Sequence, residues 1–430
     1  MLNILKEQLE NSSNFFRVNI DYFEALYEKL KAKEQIDLVL NDGKNESNIY
    51  SFSSLDLSNE PVDFANYETL EDSTAELGNY ELTICKMQAG LGTSVKRQDL
   101  ILKYENREKL GAKGTDLFIS KNGRMISIAQ AQLEKAIELS AKSIYKKINY
   151  VDLYNEETKE ALERNWQKDF EGKSLIKWFE GSKLERLESI EQLMMPTIKD
   201  GELTVERLAP AGHGFLGFYK LLKVFRENEL RKELFVIGNG EDLQSTPDHK
   251  ILNWMVRNEL PIVMITTTKT ENDKKGGQLA LVKNDRPYVT IVEKAQAEKA
   301  NQLELFEQLG LREEDNSSFF NTNIVLINTY ALKKQLDQKL KTVNESSFKK
   351  IISPDLIKNV KKVDGVEYTQ LEGAIGSCML NLDKYFRQEF EQPLIGFLNL
   401  NSLESRLNFF RPIKKREDFD EIYKIGRAHV

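Results

Sequence analysis

The segment ELTICKMQAGLGTS, residues 81–94, decides how the fold is read. Residues 82–86 have strand character and run directly into a loop carrying Gly90 and Gly92. Glycines there let the backbone take positive φ and approach a ligand with no Cβ in the way. Open α/β sheets place nucleotides at loops leaving the carboxyl ends of strands, and successive exposed N–H groups suit phosphate. The loop is not GxxxxGK[ST], so the Walker pattern fails. Ser94 and Val95 stand where the third glycine of GxGxxG would fall. Two readings stay open on this stretch alone: a nucleotide loop of another kind, or a tight turn.

Outward from the loop, short apolar runs alternate with amphipathic stretches. Apolar spacing predicts helices over residues 1–33, 129–146, 156–192, 216–234, 249–257, 330–340 and 371–386. Strands are expected over 149–153, 235–238, 261–267, 278–282, 288–293 and 323–328, the 278–282 and 288–293 runs forming an antiparallel pair. Such alternation over roughly three hundred residues points to an α/β domain built on a mixed sheet. Residues 38–77 are polar, acidic and poorly periodic, and are expected to wrap the surface of that domain. The run after residue 424 neither continues nor caps the helix-like stretch 417–423, and reads as a tail foreign to the fold.

A chain of 430 residues is too long for one typical core, so a large domain with smaller companions is expected. With 40% hydrophobic and 30% charged residues the composition is that of a soluble globular protein. The net charge of −7, with Lys and Arg spread along the chain, argues against nucleic acid as a main partner. Two cysteines, Cys85 and Cys378, provide no disulfide framework and read as buried thiols. The start lacks a basic, apolar leader, and no apolar run reaches membrane-spanning length. The cytoplasm is the expected compartment.

Four further clusters follow. APAGHG, residues 209–214, places His213 between two glycines on an open loop; the alternative is an ordinary surface histidine. With histidines only at 213, 249 and 429, a three-histidine metal site is not expected. FVIGNGED, residues 235–242, is an apolar strand ending in Glu241 and Asp242. Mg²⁺ takes one or two carboxylates plus substrate oxygens and water, which suits such an end, and a solvated acidic turn is the plain alternative. KKGG, residues 274–277, precedes a strand pair that ends at Glu293, either a sugar-binding edge or an ordinary hairpin. FFNTN, residues 319–323, sets Asn321 and Asn323 before an apolar strand. Asn offers donors and acceptors matching sugar hydroxyls, though it is also common in strand-entry turns.

In this order along one chain, these clusters resemble the UDP-glucose pyrophosphorylase (UTP–glucose-1-phosphate uridylyltransferase) family, over about residues 82–414. Met87, Gln88, Ala89 and Gly90 are similar to the family's nucleotide loop, Gln88 and Ala89 standing where Asn and Gly are usual. Gly111, Ala112 and Lys113 resemble Gly-Pro-Lys, which makes Lys113 the first phosphate-binding lysine. Gln192, four residues before Pro196, resembles the glutamine that reads the uracil edge. Gly212 and His213 resemble a Pro-Gly-His-Gly loop beside the nucleotide, with Ala211 for proline. Asn239 and Glu241 match Asn-x-Asp, whose aspartate is a Mg²⁺ ligand; Glu241 keeps the carboxylate one methylene longer, with Asp242 as a neighbouring substitute. Gly276, Gly277, Glu293 with Gln296, Asn321 and Asn323 resemble the glucose-binding elements. Leu371, Glu372 and Gly376 fit the family's next helix, and Lys414 the second phosphate-binding lysine.

The resemblance implies a Rossmann-like nucleotidyltransferase domain over residues 81–390, with a mixed central sheet flanked by helices. Residues 1–80 form an N-terminal helical and wrapping segment, and 391–430 the start of a C-terminal region. Family members continue into a β-helical domain, whereas this chain ends sixteen residues after Lys414, so the region reads as shortened and no oligomer is inferred. The implied reaction makes UDP-glucose and pyrophosphate from UTP and glucose 1-phosphate, with Mg²⁺ as cofactor. The alternatives are a uridylyltransferase for galactose or N-acetylhexosamine 1-phosphate, and a non-catalytic nucleotide-sugar binder. Partners are then small molecules, with neither nucleic acid nor membrane.

Overall fold

The strand Glu81–Met87 lies in the middle of a parallel sheet, as its almost wholly buried side chains require. A computed structural model of the chain describes residues 14–32, 39–44, 47–90, 113–116, 118–121, 124–167, 184–270, 273, 276–311 and 319–413. The described residues fall into two compact units. One draws on residues 71–192, 232–257 and 402–430, the other on 1–70, 193–231 and 258–401.

In the first unit Glu81–Met87 pairs in parallel with Glu233–Asn239 on one side and Lys147–Tyr154 on the other. The registers Asn239↔Met87 and Met87↔Leu153 bring three carboxyl ends level. Leu184–Arg186 and Ile190–Glu191 pair in parallel with Lys147–Tyr154. Parallel neighbours need crossovers, and the helix Ile128–Ala141 supplies one. Its start is fixed by a capping box: Gln130 N donates to Ser127 Oγ and Ser127 N to Gln130 Oε1, each at 3.0 Å.

The second unit holds a mixed sheet. Asp63–Asn66 and Ile262–Thr267 flank Ile395–Leu400 in parallel, and Phe320–Asn328 runs antiparallel to Ile262–Thr267. Gln278–Val282 pairs antiparallel with Tyr288–Val292 and with Ile49–Ser51. A separate antiparallel sheet has the order 202–209, 195–199, 366–372, 357–363. Its two hairpins turn at Asp200-Gly201 and Asp364-Gly365, with φ of 51° and 83° in both. Positive φ at both central residues is the type I′ geometry that matches strand twist, and Asp-Gly favours it. The N-terminal helix Asn14–Lys31 packs on the helix Gly214–Arg226, Tyr22 meeting Phe215 and Phe218 edge-on at 5.8 and 5.4 Å.

The α/β expectation holds, and four element readings need correction. Residues 38–77 were expected only to wrap the surface, yet Ile49–Ser51 and Asp63–Asn66 each join the mixed sheet. Residues 156–192 are not one helix: Glu156–Gln167 is helical, but Leu184 and Ile190 are buried as strand residues, and 168–183 lie outside the described residues. The helix expected from 216 to 234 ends at Arg226, because Glu227 turns extended with ψ of 140°. Leu371 and Glu372 close the strand Val366–Glu372, and the helix begins only at Ile375. No helix among the described residues is long and apolar enough to cross a membrane.

One surface cluster yields a pH prediction. Glu345 accepts from Arg226 Nε and Nη2 at 2.8 and 2.6 Å and from Lys349 Nζ at 2.8 Å. The Arg226 hydrogen bonds, aided by Lys349, hold its carboxyl down at about 2. A folded value below the unfolded 4.5 gives stability that is present above pH 4.5 and lost as pH falls toward 2. Because the side chain is 39% exposed, the contribution is screened to under ~1 kcal/mol. Glu345→Gln is expected to flatten stability against pH between 4.5 and 2, measured by urea unfolding.

Candidate active site

The level carboxyl ends of the parallel strands bring the nucleotide-loop residues and the carboxylate turn to one sheet edge. Met87 ends its strand, and Gln88 N continues the ladder to Leu153 O at 2.8 Å. Ala89 O accepts from Asn155 Nδ2 at 2.7 Å, which pins the loop before Gly90. From the adjacent strand the chain turns at Asn239, and Gly240 N donates back to Met87 O at 3.1 Å. A Cβ on Gly240 would lie 2.5 Å from Met87 O and from Gln88 Oε1, so only glycine permits this approach. Gln192 leaves the same edge, its N bonded to Tyr154 O at 2.7 Å and its side chain buried.

The turn holds two carboxylates in different settings. Glu241 is half-buried. Asp242 is fully buried, and its Oδ1 accepts from Gln244 N at 3.0 Å and Arg411 N at 2.8 Å. Burial raises the Asp242 pKa, opposed by those two backbone bonds and by the Lys86 charge. Its Oδ2 is buried and has no hydrogen-bond partner among the described residues. The segment before Lys414 is tied to this turn: Leu243 N donates to Arg411 O at 3.2 Å and Ile413 N to Glu241 O at 3.1 Å. Lys414 itself, like Gly92, Gly111 and Ala112, lies outside the described residues. Lys113 opens the short helix Lys113–Asp116.

Beneath the turn, Lys86 is fully buried and donates to Ser245 O and Oγ at 2.6 and 2.7 Å. Burial lowers its pKa to about 8, with Asp242 opposing the fall. On the next strand burial raises Asp152 to about 7, opposed by Arg186 and by the bond from Trp166 Nε1 at 2.9 Å.

The remaining candidates belong to the other unit. His213 is exposed and stands just before the helix Gly214–Arg226, with Gly212 at φ 78°. Behind it Tyr22 Oη donates to Ala211 O at 3.2 Å, and Gly214 N donates to Gly373 O at 2.7 Å. The strand Phe320–Asn328 brings Asn321 to Gly277, Asn321 N donating to Gly277 O at 3.0 Å. Asn321 Nδ2 donates to Asn323 Oδ1 at 3.2 Å, and Asn323 takes φ of 61°. Any Cβ on Gly277 would collide with Ile291 Cγ2 at 1.9 Å, which gives this glycine a packing reason as well. Glu293 caps the helix Lys294–Lys299, and Gln296 Oε1 accepts from Glu293 N at 2.9 Å, so Gln296 orients Glu293. Although Glu293 is exposed by area, surrounding protein raises its carboxyl pKa, with the Lys269 charge opposing. Gly277, Val292 beside Glu293, and Phe320 beside Asn321 are thus joined by the register Gln278↔Val292 and Gln278↔Phe320.

A family model described as UTP–glucose-1-phosphate uridylyltransferase matches residues 119–419. The chain belongs to this uridylyltransferase family. A relative bearing the same description, from Encephalitozoon cuniculi, is 31% identical over 214 residues, 49% of this chain and 38% of that protein. The Saccharomyces cerevisiae relative is 27% identical over 332 residues, 75% of this chain and 58% of that protein. The chain therefore spans less than two thirds of either relative's length. The open and closed crystal structures of UDP-glucose pyrophosphorylase from Leishmania major align with TM-score 0.62 and 21% identity, over 96% of this chain and 77% of that one. A UDP-glucose phosphorylase from Trypanosoma brucei gives the same score and identity over 96% and 76%. At that identity these two likenesses speak for the fold. The same sheet edge holds one polar residue that the sequence pattern did not single out. Gln132, in the crossover helix, donates from Nε2 to three carbonyls of the carboxylate turn. Its signal was a polar residue at a position where the helix faces the sheet.

Proposed function

We propose that the chain catalyses uridylyl transfer, making UDP-glucose and pyrophosphate from UTP and glucose 1-phosphate. The observation that supports this best is the joining, at one parallel-sheet edge, of the 87–90 loop, the 239–242 turn and the segment ending at Ile413. A phosphate oxygen of glucose 1-phosphate bonds to the α-phosphorus of UTP as the bond from that phosphorus to the β-phosphate bridge oxygen breaks. Such a reaction asks the protein mainly for positioning and charge neutralisation. Backbone of 87–90 holds the nucleotide, Gln192 reads the uracil edge, and Asn239, Gly212 and His213 complete the nucleotide contacts. Gly277, Glu293, Asn321 and Asn323 hold the sugar. Lys113 and Lys414 neutralise charge on the attacking and departing phosphates, a role suited to compact cations with three donors.

Mg²⁺ fits the residues present: Glu241 presents a half-buried carboxylate, and the neighbouring Asp242 Oδ2 has no hydrogen-bond partner among the described residues. Hard oxygen donors of this kind, one or two per site, are what this ion takes from protein. When bound, it supplies positive charge to phosphate oxygens. The cytoplasm suits Cys85 and Cys378, both buried thiols that form no disulfide.

The test is pyrophosphate release from UTP with glucose, galactose or N-acetylglucosamine 1-phosphate offered separately. Glucose 1-phosphate is expected to react at least ~10-fold faster, about the discrimination that a few pocket contacts give. Faster release with either rival would reassign the sugar.

A further inference from the structure

The amide of Gln132 is fully committed, and its commitments explain how the carboxylate turn keeps its shape. Gln132 is 1% exposed, and Nε2 donates to Asn239 O at 3.1 Å, Gly240 O at 3.2 Å and Asp242 O at 2.7 Å. Three carbonyl dipoles converge on one NH₂ group, and without a donor there they would repel one another in a buried space. This orientation leaves no freedom to flip, because the oxygen would then face three acceptors. Gln132 Oε1 therefore faces Gln88, whose Nε2 donates to it at 3.3 Å. Gln88 Oε1 in turn lies between two glycines. It is 2.3 Å from where a Cβ of Gly114 would be and 2.5 Å from that of Gly240. Gly114 follows Lys113 and Gly240 precedes Glu241, so the amide pair abuts the chain beside both charged candidates.

We infer that Gln132 is a positioning residue for the 239–242 turn, and that Gln88 couples that turn to the nucleotide loop. The inference rests on the proposed role of Glu241, whose backbone direction the three carbonyl bonds fix.

The test compares UTP affinity with and without Mg²⁺ by calorimetry, alongside turnover and melting temperature. Gln132→Met keeps length and apolar packing but removes the donor. Its expected result is Mg²⁺-free UTP affinity within about twofold of wild type, with the Mg²⁺-linked gain and kcat each lowered ~10–100-fold, as for lost outer-sphere partners of a metal site. Gln88→Asn withdraws the amide from Gln132 while leaving the three carbonyl bonds, and is expected to lower the Mg²⁺-linked gain several-fold. It also keeps the question open to measurement if Gln132→Met does not fold. A wild-type Mg²⁺-linked gain in folded Gln132→Met, or in Gln88→Asn where only that variant folds, would overturn the inference. So would a lower melting temperature with unchanged activity per folded molecule. Glu241→Gln separates the two levels. If it retains the wild-type Mg²⁺-linked gain, the metal reading at Glu241 fails and takes this inference with it. If it loses the gain and Gln132→Met does not, only the inference fails.

Discussion

Lys414→Ala is expected to leave the protein folded and to lower turnover of UTP and glucose 1-phosphate by roughly 10²–10³-fold, the loss typical of one charged transition-state contact. The expectation comes from the chain just before it. Arg411 N donates to Asp242 Oδ1, Pro412 bridges Asp242, and Ile413 N donates to Glu241 O. Three consecutive residues are thus laid along the carboxylate turn, and the next residue in the chain is a lysine. A lysine, a compact cation with three donors, suits charge neutralisation of phosphate. Initial-rate measurements of pyrophosphate release, with circular dichroism on the same samples, check this. Turnover like wild type in a folded Lys414→Ala would remove Lys414 from the site.

Glu241→Gln carries the second large effect. It keeps the size of the side chain while removing the charge that would hold Mg²⁺, so turnover is expected to fall roughly 10²–10³-fold and to lose its Mg²⁺ response. Asp242→Asn is expected to behave differently. Asp242 Oδ1 already accepts two backbone N–H groups, so its replacement should cost ~1–3 kcal/mol of stability through weakened buried hydrogen bonds. Its Mg²⁺ response should weaken far less than that of Glu241→Gln, because the Glu241 charge remains. A Mg²⁺ titration of kcat for both variants decides the matter. A response lost in Asp242→Asn and kept in Glu241→Gln would move the metal to Asp242.

Much of this edge was legible before the structure. Residues 82–86 and 235–238 read as strands because each is an apolar run with a glycine-bearing turn behind it, and both proved central and parallel. The Asp200-Gly201 and Asp364-Gly365 hairpins were equally legible from their turn chemistry, and the reading missed them because their flanking strands carry little apolar alternation. Residues of 202–209 and 357–363 are mostly exposed, so periodicity gave no signal there. Leu184 and Ile190 illustrate the opposite difficulty. In a charged stretch, Leu184, Leu187 and Ile190 at three-residue spacing fit a helix face, and only pairing with the buried strand Lys147–Tyr154 decides for a strand. The parts of the site held by backbone bonds, Gln132 to three carbonyls and Ile413 to Glu241, depend on long-range contacts that no local pattern encodes.

The most direct measurement of uridylyl transfer is ³¹P NMR of the protein mixed with UTP, glucose 1-phosphate and Mg²⁺. UDP-glucose and pyrophosphate are expected to appear in equal amounts, with no product when Mg²⁺ is chelated. Stabilisation of the protein by UDP-glucose, with UTP and glucose 1-phosphate unchanged in the same tube, would contradict it and leave a nucleotide-sugar binder.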